Sequence, residues 1–292
     1  MKCLIFLISL FPFIVSAQEF SLMTYNLKNF LAQNTYKNGE VSGVRYKPDE
    51  EIEAIVKIIA NTNPDLLGLC EIGTEKDLEK LRGLLRKKGL DYPHVEHVNA
   101  ADSVRHLALL SKYPLASRSY TDLIYNIADK KFPLRRGLLH VEADISGQKI
   151  HLLGAHLKSK RPVEYADQNT MRLKEAHLIR DQITTILQKS PEAKLLLYGD
   201  LNDTFKSSTL STLKGHYRSK LRLEPLDLKA SDGTYWTHFW SYQRVYSTFD
   251  YVLCNHALLD YVDHDKSKTL NPPETLIASD HRPQVVYFNL SE

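Results

Sequence analysis

The chain has 292 residues, 25% of them charged, and its 38 Lys and Arg against 35 Asp and Glu give a formal net charge of +3. That balance excludes the strongly basic and strongly acidic classes; it permits a polyanionic substrate without requiring one. Three cysteines without zinc-type spacing give no thiolate metal centre, and no Pro/Gly/Ser-rich linker, low-complexity tract or repeat divides the chain, so one large domain is expected.

In chain order, Met1-Lys2 supplies a positive start, 3–15 is an apolar run and Val15-Ser16-Ala17 offers small residues for cleavage. This predicts a secretory signal over 1–17. The run is shorter than the ~20 apolar residues of a membrane span. The domain is then 18–292, exported to the periplasm or the medium. A strand is predicted over 20–25, followed by a polar segment, 32–47, with turn signals at Asn38-Gly39 and Ser42-Gly43. Ile52, Ile55, Val56 and Ile59 lie on one face of a helix starting near Pro48. Pro64 ends it, and 65–71 reads as a strand. Thr74 and Asp77 form a capping box for a helix over 74–88. Strands are predicted over 107–111, 115–120, 138–145 and 149–155, the last two joined by a tight turn at Ser146-Gly147. A long helix over 170–188 presents Ala176, Ile179, Ile183 and Leu187, and strands follow over 193–198, 247–253 and 284–288. Hairpins plus a few helical blocks fit two stacked sheets with helices outside. Cys70 and Cys254 sit inside apolar runs and are expected as buried free thiols.

Polar residues close many of these apolar runs. Asn26, Glu71, His156, Asp200 with Asn202, Asp250 and Asp280-His281 all stand at such ends. A carboxylate at the end of a buried strand is costly unless it is hydrogen-bonded, paired or bound to a cation. One such residue is a turn or a cap; a set of four carboxylates, two histidines and two asparagines calls for a common purpose. An oxygen-rich set suits Mg2+, with Mn2+ or Ca2+ as alternatives, rather than zinc.

Thr24-Tyr25-Asn26-Leu27, the run from Pro64 to Glu71 and Gly199-Asp200-Leu201-Asn202-Asp203 resemble signature blocks of the endonuclease–exonuclease–phosphatase superfamily. Ala155-His156-Leu157-Lys158-Ser159, Phe249-Asp250-Tyr251-Val252-Leu253 and Ser279-Asp280-His281-Arg282-Pro283 follow in the same order. The resemblance covers the chain from Phe20 to Phe288. It implies an α/β fold, a four-layer α/β/β/α sandwich of two mixed sheets with outer helices. It also implies that Glu71, with Asn26 and Asp280, holds the metal. Asp200 then orients or deprotonates the attacking water, Asn202 holds water or phosphate, and Asp250 fixes the tautomer of His281. His156 would serve a phosphate oxygen or the leaving group, with Glu96 or Asp102 as candidate partners. Lys158, Arg136, Arg172 and Trp236 are weaker candidates for substrate contact, and His106, His151, His177 and His238 carry no assigned role.

The expected activity is metal-dependent hydrolysis of a phosphodiester, with nucleic acid as the lead substrate. A phosphatase or phospholipid-headgroup hydrolase is the alternative within the superfamily, and an inactive binding module the alternative outside catalysis. Tyr198, Asp203-Thr204 and Ser247-Thr248-Phe249-Asp250 stand where inositol-polyphosphate phosphatases carry Trp and Arg motifs, which argues against that subgroup. No stable membrane span or protein partner is implied, and a monomer is expected.

Overall fold

The computed structural model describes residues 18–290; the predicted export signal, 1–17, lies outside the described residues. Two six-stranded sheets form the centre. The first runs, edge to edge, Val262–Thr269, Gln284–Leu290, Gln18–Phe30, Leu66–Ile72, His106–Ser111, His94–Val98. The second runs Leu223–Pro225, Asp250–Asn255, Lys194–Asp200, Gln148–His156, Leu139–Ile145, Leu115–Ser117.

Each sheet has one parallel pair at its middle. Gln18–Phe30 pairs parallel with Leu66–Ile72, and Gln148–His156 with Lys194–Asp200. A parallel pair needs a crossover, and the helices Asp49–Thr62 and Gln168–Lys189 provide it in each case. The central strands are covered on both faces, so they read as nearly continuous apolar runs rather than alternating ones. Side chains of odd and even positions enter different cores. Leu22, Leu66, Leu152 and Leu196 meet between the sheets. Met23, Leu67 and Leu69 pack outward on Ile52, Ile55 and Ile59, while Leu153, Leu195 and Leu197 pack outward on Ala176, Ile179 and Ile183. Three cores between four layers make the expected α/β/β/α sandwich.

The predicted helix faces and caps are present. Thr74 and Asp77 form their capping box, and Asp167 accepts the Thr170 N–H to open the long helix. Cys70 and Cys254 are buried free thiols. Several elements differ from expectation. The strand placed over 115–120 stops at Ser117. The polar segment 32–47 is a hairpin, Ala32–Lys37 with Glu40–Tyr46, turning at Asn38-Gly39. His94–Val98, the hairpin Ile124–Ile127/Lys130–Pro133, the hairpin His238–Trp240/Val245–Ser247 and the strand Val262–Thr269 were not anticipated. Their polar or mixed composition reflects edge and surface positions, where one face meets water.

Candidate active site

The two parallel pairs end at the same place. Asn26 and Glu71 stand at the carboxyl ends of one pair, His156 and Asp200 at those of the other. Asp250 begins the antiparallel neighbour of Lys194–Asp200, directly opposite Asp200, and Asp280-His281 lies just before the strand Gln284–Leu290. Gly199 permits this convergence. Its φ is +126°, and a Cβ there would lie 2.1 Å from the Ala155 carbonyl oxygen.

Backbone strain marks the same spot. Glu71 (φ 59°), Asn202 (φ 51°), Lys28 (φ 50°) and Asn29 (φ 57°) are all left-handed. Such residues cost on the order of 1–3 kcal/mol each and persist where the surroundings enforce them. The bend at Glu71 lets Asn29 donate its N–H to Oε2 (2.9 Å), with Arg105 Nε 3.6 Å from the same oxygen. Oε1 then lies 3.9 Å from His156 Nε2.

Asp200 is the centre. Its Oδ2 accepts from Asn26 Nδ2 at 3.0 Å and lies 3.6 Å from His156 Nε2 and 3.8 Å from His281 Nε2. Its Oδ1 accepts the Asn202 N–H at 3.0 Å. His281 Nδ1 donates to Asp250 Oδ2 at 2.8 Å, which leaves Nε2 facing Asp200. Thr237 Oγ1 accepts the Phe249 and Asp250 N–H groups and so fixes the partner of His281. The gaps of 3.6–3.9 Å are too long for direct hydrogen bonds and leave a small polar space framed by two imidazoles and two carboxylates.

Electrostatics divide the two histidines. Burial pulls His156 well below the ordinary imidazole range, and Arg136, His281 and Arg105 add to it. Burial acts the same way on His281, but Asp250 and Asp200 outweigh it and push that imidazole up to about 10. One histidine is neutral and the other cationic at pH 7. Burial, reinforced by Asp250 and Glu71 against the opposing pull of His281, pushes the Asp200 carboxyl up to about 7. This excess of buried negative charge suits a cation. Asp200 and Asp250 lie with His281 in a cluster whose polar atoms are within 4.8 Å of one another, and Glu71 adds carboxylate oxygens beside it. The carboxylates can draw a cation, whereas the protonated His281 has no lone pair to give one. The Asn26 amide is committed to Asp200 and to the Lys28 N–H. Asp280 is half-buried, 3.5 Å from Ser279 Oγ, and that hydroxyl also donates to the Asn26 carbonyl.

All eight core candidates therefore converge at one end of the sandwich. The peripheral ones divide. Arg172 is fully buried, bonded to Asp203, the Lys158 carbonyl and Asn169, so it anchors the scaffold and does not meet substrate. The Lys158 ammonium is likewise spent on the Ser159 and Arg161 carbonyls. Arg136 is buried 3.2 Å from Asp102, with Nη1 unpartnered. Trp236 lies under the Arg282 guanidinium, 3.4 Å from ring centroid. Neither Glu96 nor Asp102 serves His156: Glu96 binds Ser117 and Ser119, and Asp102 holds Arg136. Sequence reasoning passed over Arg105, Asn29 and Thr237, and left His238 without a role. The His238 ring sits 4.7 Å from that of His281, carried there by a hairpin for which the sequence offers no motif.

Residues 28–280 match the Endonuclease/Exonuclease/phosphatase family. A 5'-tyrosyl-DNA phosphodiesterase of Caenorhabditis briggsae is 26% identical over 187 residues, 63% of this chain and 44% of that protein; the match thus spans less than half of that relative. Among solved structures, truncated Caenorhabditis elegans TDP2 superimposes with a TM-score of 0.61 at 19% identity, covering 94% of this chain and 99% of that one. Sphingomyelinase C from Streptomyces griseocarneus gives 0.59 at 18% identity, covering 93% and 99%. The human nocturnin catalytic domain gives 0.61 at 17%, covering 93% and 94%. At these identities the likeness speaks for the fold. With the fold, the ordered motifs and the match over nearly the whole described chain in agreement, this chain belongs to the endonuclease/exonuclease/phosphatase family, a family of phosphoester hydrolases.

Proposed function

We propose that the protein is an exported, Mg2+-dependent phosphodiesterase whose substrate is nucleic acid. The observation that carries the catalytic part of the reading is Asp200, a buried carboxyl pushed up to about 7 and lying 3.6 Å and 3.8 Å from a neutral and a cationic imidazole. Export rests on the signal-like segment 1–17.

An in-line attack on phosphorus needs a prepared nucleophile, charge against the non-bridging oxygens and help for the leaving oxygen. Asp200 Oδ2 faces the polar space and takes a proton from the attacking water. Asn26 and the Asn202 N–H hold that carboxylate in place. His281, kept cationic by Asp250, donates from Nε2 to a phosphate oxygen. His156, neutral and 3.9 Å from Glu71, gives a hydrogen bond from its Nε2–H on the other side. As the P–O bond breaks, the departing oxygen takes its proton from the cationic His281 or from solvent. Glu71 would hold the ion, with Asp280 and the remaining lone pair of the Asn26 amide oxygen as further donors, and the ion when bound would add positive charge against the phosphate oxygens.

The test is cleavage by residues 18–292 of supercoiled DNA, single-stranded RNA, p-nitrophenyl phosphate and sphingomyelin, in Mg2+ and in EDTA. EDTA-sensitive cleavage of a nucleic acid supports the reading. Cleavage confined to the monoester or to sphingomyelin overturns the substrate and keeps the mechanism.

A further inference from the structure

A flank of the molecule beside the catalytic centre carries a pattern that hydrolysis of a small ester does not need. A cavity of about 540 Å³ opens there, walled by Thr204, Phe205, Tyr235, Tyr246, Thr248 and Gln284 among others. Thr204 is two residues past Asn202, Thr248 two before Asp250 and Gln284 three past His281. Two or three residues span at most about 7–10 Å, so three separate segments tie this cavity to the site. Three of its four aromatic rings are open to solvent, Phe205 at 53%, Tyr235 at 45% and Tyr246 at 53% exposed, while Tyr251 is buried. Gln284 is 4% exposed, and its Oε1 has no partner.

The flank continues. Lys214 Nζ lies over the Phe205 ring, 4.7 Å from its centroid, and Lys214 also lines a second cavity of about 590 Å³. The second wall includes His177, His216 and Tyr217 and no carboxylate. Arg180 and Arg222 are there too, but carbonyls occupy the first and Glu224 the second. Arg218 lies over the Tyr217 ring at 5.1 Å, and Lys229 over the Tyr235 ring at 5.6 Å. Three exposed aromatic rings on one flank are thus each accompanied by a cation, and Asp227 is the one carboxylate on the first wall.

A ring with a cation beside it is the unit that recognises a nucleotide, since bases stack on π-faces while ammonium and guanidinium groups meet the phosphates. The first wall also carries Pro225, Leu226 and Leu228, but Leu228 is buried and the other two are half-buried, so they do not form the exposed apolar face that insertion into a lipid surface needs. We propose that this flank is a track for single-stranded nucleic acid, leading from the scissile position over Tyr235, Tyr246 and Phe205 to Lys214, Tyr217 and Arg218. The track rests on the nuclease reading of the site and extends it to a strand of several nucleotides without base-sequence preference.

The experiment measures binding of a fluorescent single strand of about twelve nucleotides by anisotropy, in EDTA so that turnover plays no part. The proteins are wild type, the double charge reversal Lys214→Glu with Arg218→Glu, and Phe205→Ala. These side chains are at least partly exposed, and far-UV circular dichroism checks the fold. The charge reversal weakens binding roughly tenfold or more and lowers the slope of log affinity against log salt by about 1.4, as expected for two phosphate contacts on a single strand; Phe205→Ala weakens binding with the slope unchanged. Hydrolysis of bis-p-nitrophenyl phosphate is the same in all three. Equal binding by all three overturns the track, as does binding to zwitterionic phosphatidylcholine vesicles that these substitutions abolish while the oligonucleotide is unaffected. Failure of wild type to hydrolyse the small diester is a separate result, and it counts against the proposed catalysis alone.

Discussion

The molecule buries two groups of charges side by side, and they are built on opposite lines. In the network under the long helix, Arg172 is fully buried with donors directed at Asp203, Asn169 and the Lys158 carbonyl. Against the effect of burial, hydrogen bonds from Lys160 and Thr209 together with Arg172 pull Asp203 down to about 2. Glu175 is the exception there, pushed up to about 7 by burial although Lys158 N–H donates to it. In the catalytic group, Asp200 is buried among Glu71 and Asp250 with His281 as the nearby cation, and its carboxyl rises. A satisfied ion pair holds shape; an unsatisfied carboxylate is poised to accept a proton or to face a cation. Burial does not separate scaffold from site, because both groups are buried, and a raised carboxyl does not either, because Glu175 shares it. The direct ion pair at Asp203 against the gaps of 3.6 Å and 3.8 Å between Asp200 and its two imidazoles does.

Asp200→Asn is the sharpest way to break this contrast. It should lower turnover by about 10²–10⁴-fold and yet stabilise the metal-free protein at pH 8, by up to about 4 kcal/mol. The sign follows from the shift. A carboxyl whose folded pKa lies above its ordinary 3.8 contributes stability below that value and loses it as pH rises through about 7. Denaturant titrations at pH 4 and pH 8 check this, and a variant destabilised at both would place Asp200 among the scaffold charges. Arg172→Met should do the reverse. Leaving Asp203 without its buried partner costs about 3–5 kcal/mol in a urea melt, while turnover per folded molecule stays near wild type.

A pH–rate profile sharpens the catalytic half. kcat/KM should fall on the acid side as Asp200 becomes protonated and on the alkaline side as His281 loses its proton. Each limb should lie below the metal-free values of about 7 and about 10, because a bound cation favours the deprotonated form of both groups. Asp250→Asn removes the carboxylate that raises His281, so the alkaline limb should move down by a unit or more. A limb that stays in place would take His281 out of the proton inventory. The smallest expected effect is Thr237→Val. Its hydroxyl accepts the Phe249 and Asp250 N–H groups in a fully buried position, and its loss should cost about 1–3 kcal/mol of stability with a fall in kcat rather than a rise in KM.

Much of this was legible in the sequence, for a physical reason. Strands covered on both faces must be apolar throughout, so the polar residues ending them, Asn26, Glu71, His156 and Asp200, stand out against the runs they close. Helix faces and caps at Ile52 to Ile59 and at Thr74 were legible because their periods and hydrogen bonds are local. The edge strand His94–Val98 and the strand Val262–Thr269 were not, since Glu96 is half-buried on the serines Ser117 and Ser119 and Asp265 and Lys266 face water, which breaks the apolar pattern of both. Arg172 was misread because its partner Asp203 is 31 positions away, and a helix first turn says nothing of what a later loop brings over it. Arg105 and His238 were invisible for the same reason: each meets the site through a loop or hairpin with no motif of its own.

The most direct measurement is hydrolysis of bis-p-nitrophenyl phosphate by residues 18–292, wild type and Asp200→Asn, in Mg2+ and in EDTA. The Asp200-centred account predicts turnover by wild type in Mg2+, abolished by EDTA and reduced at least a hundredfold in the variant, whose fold is intact by circular dichroism. Turnover that survives the substitution would contradict it.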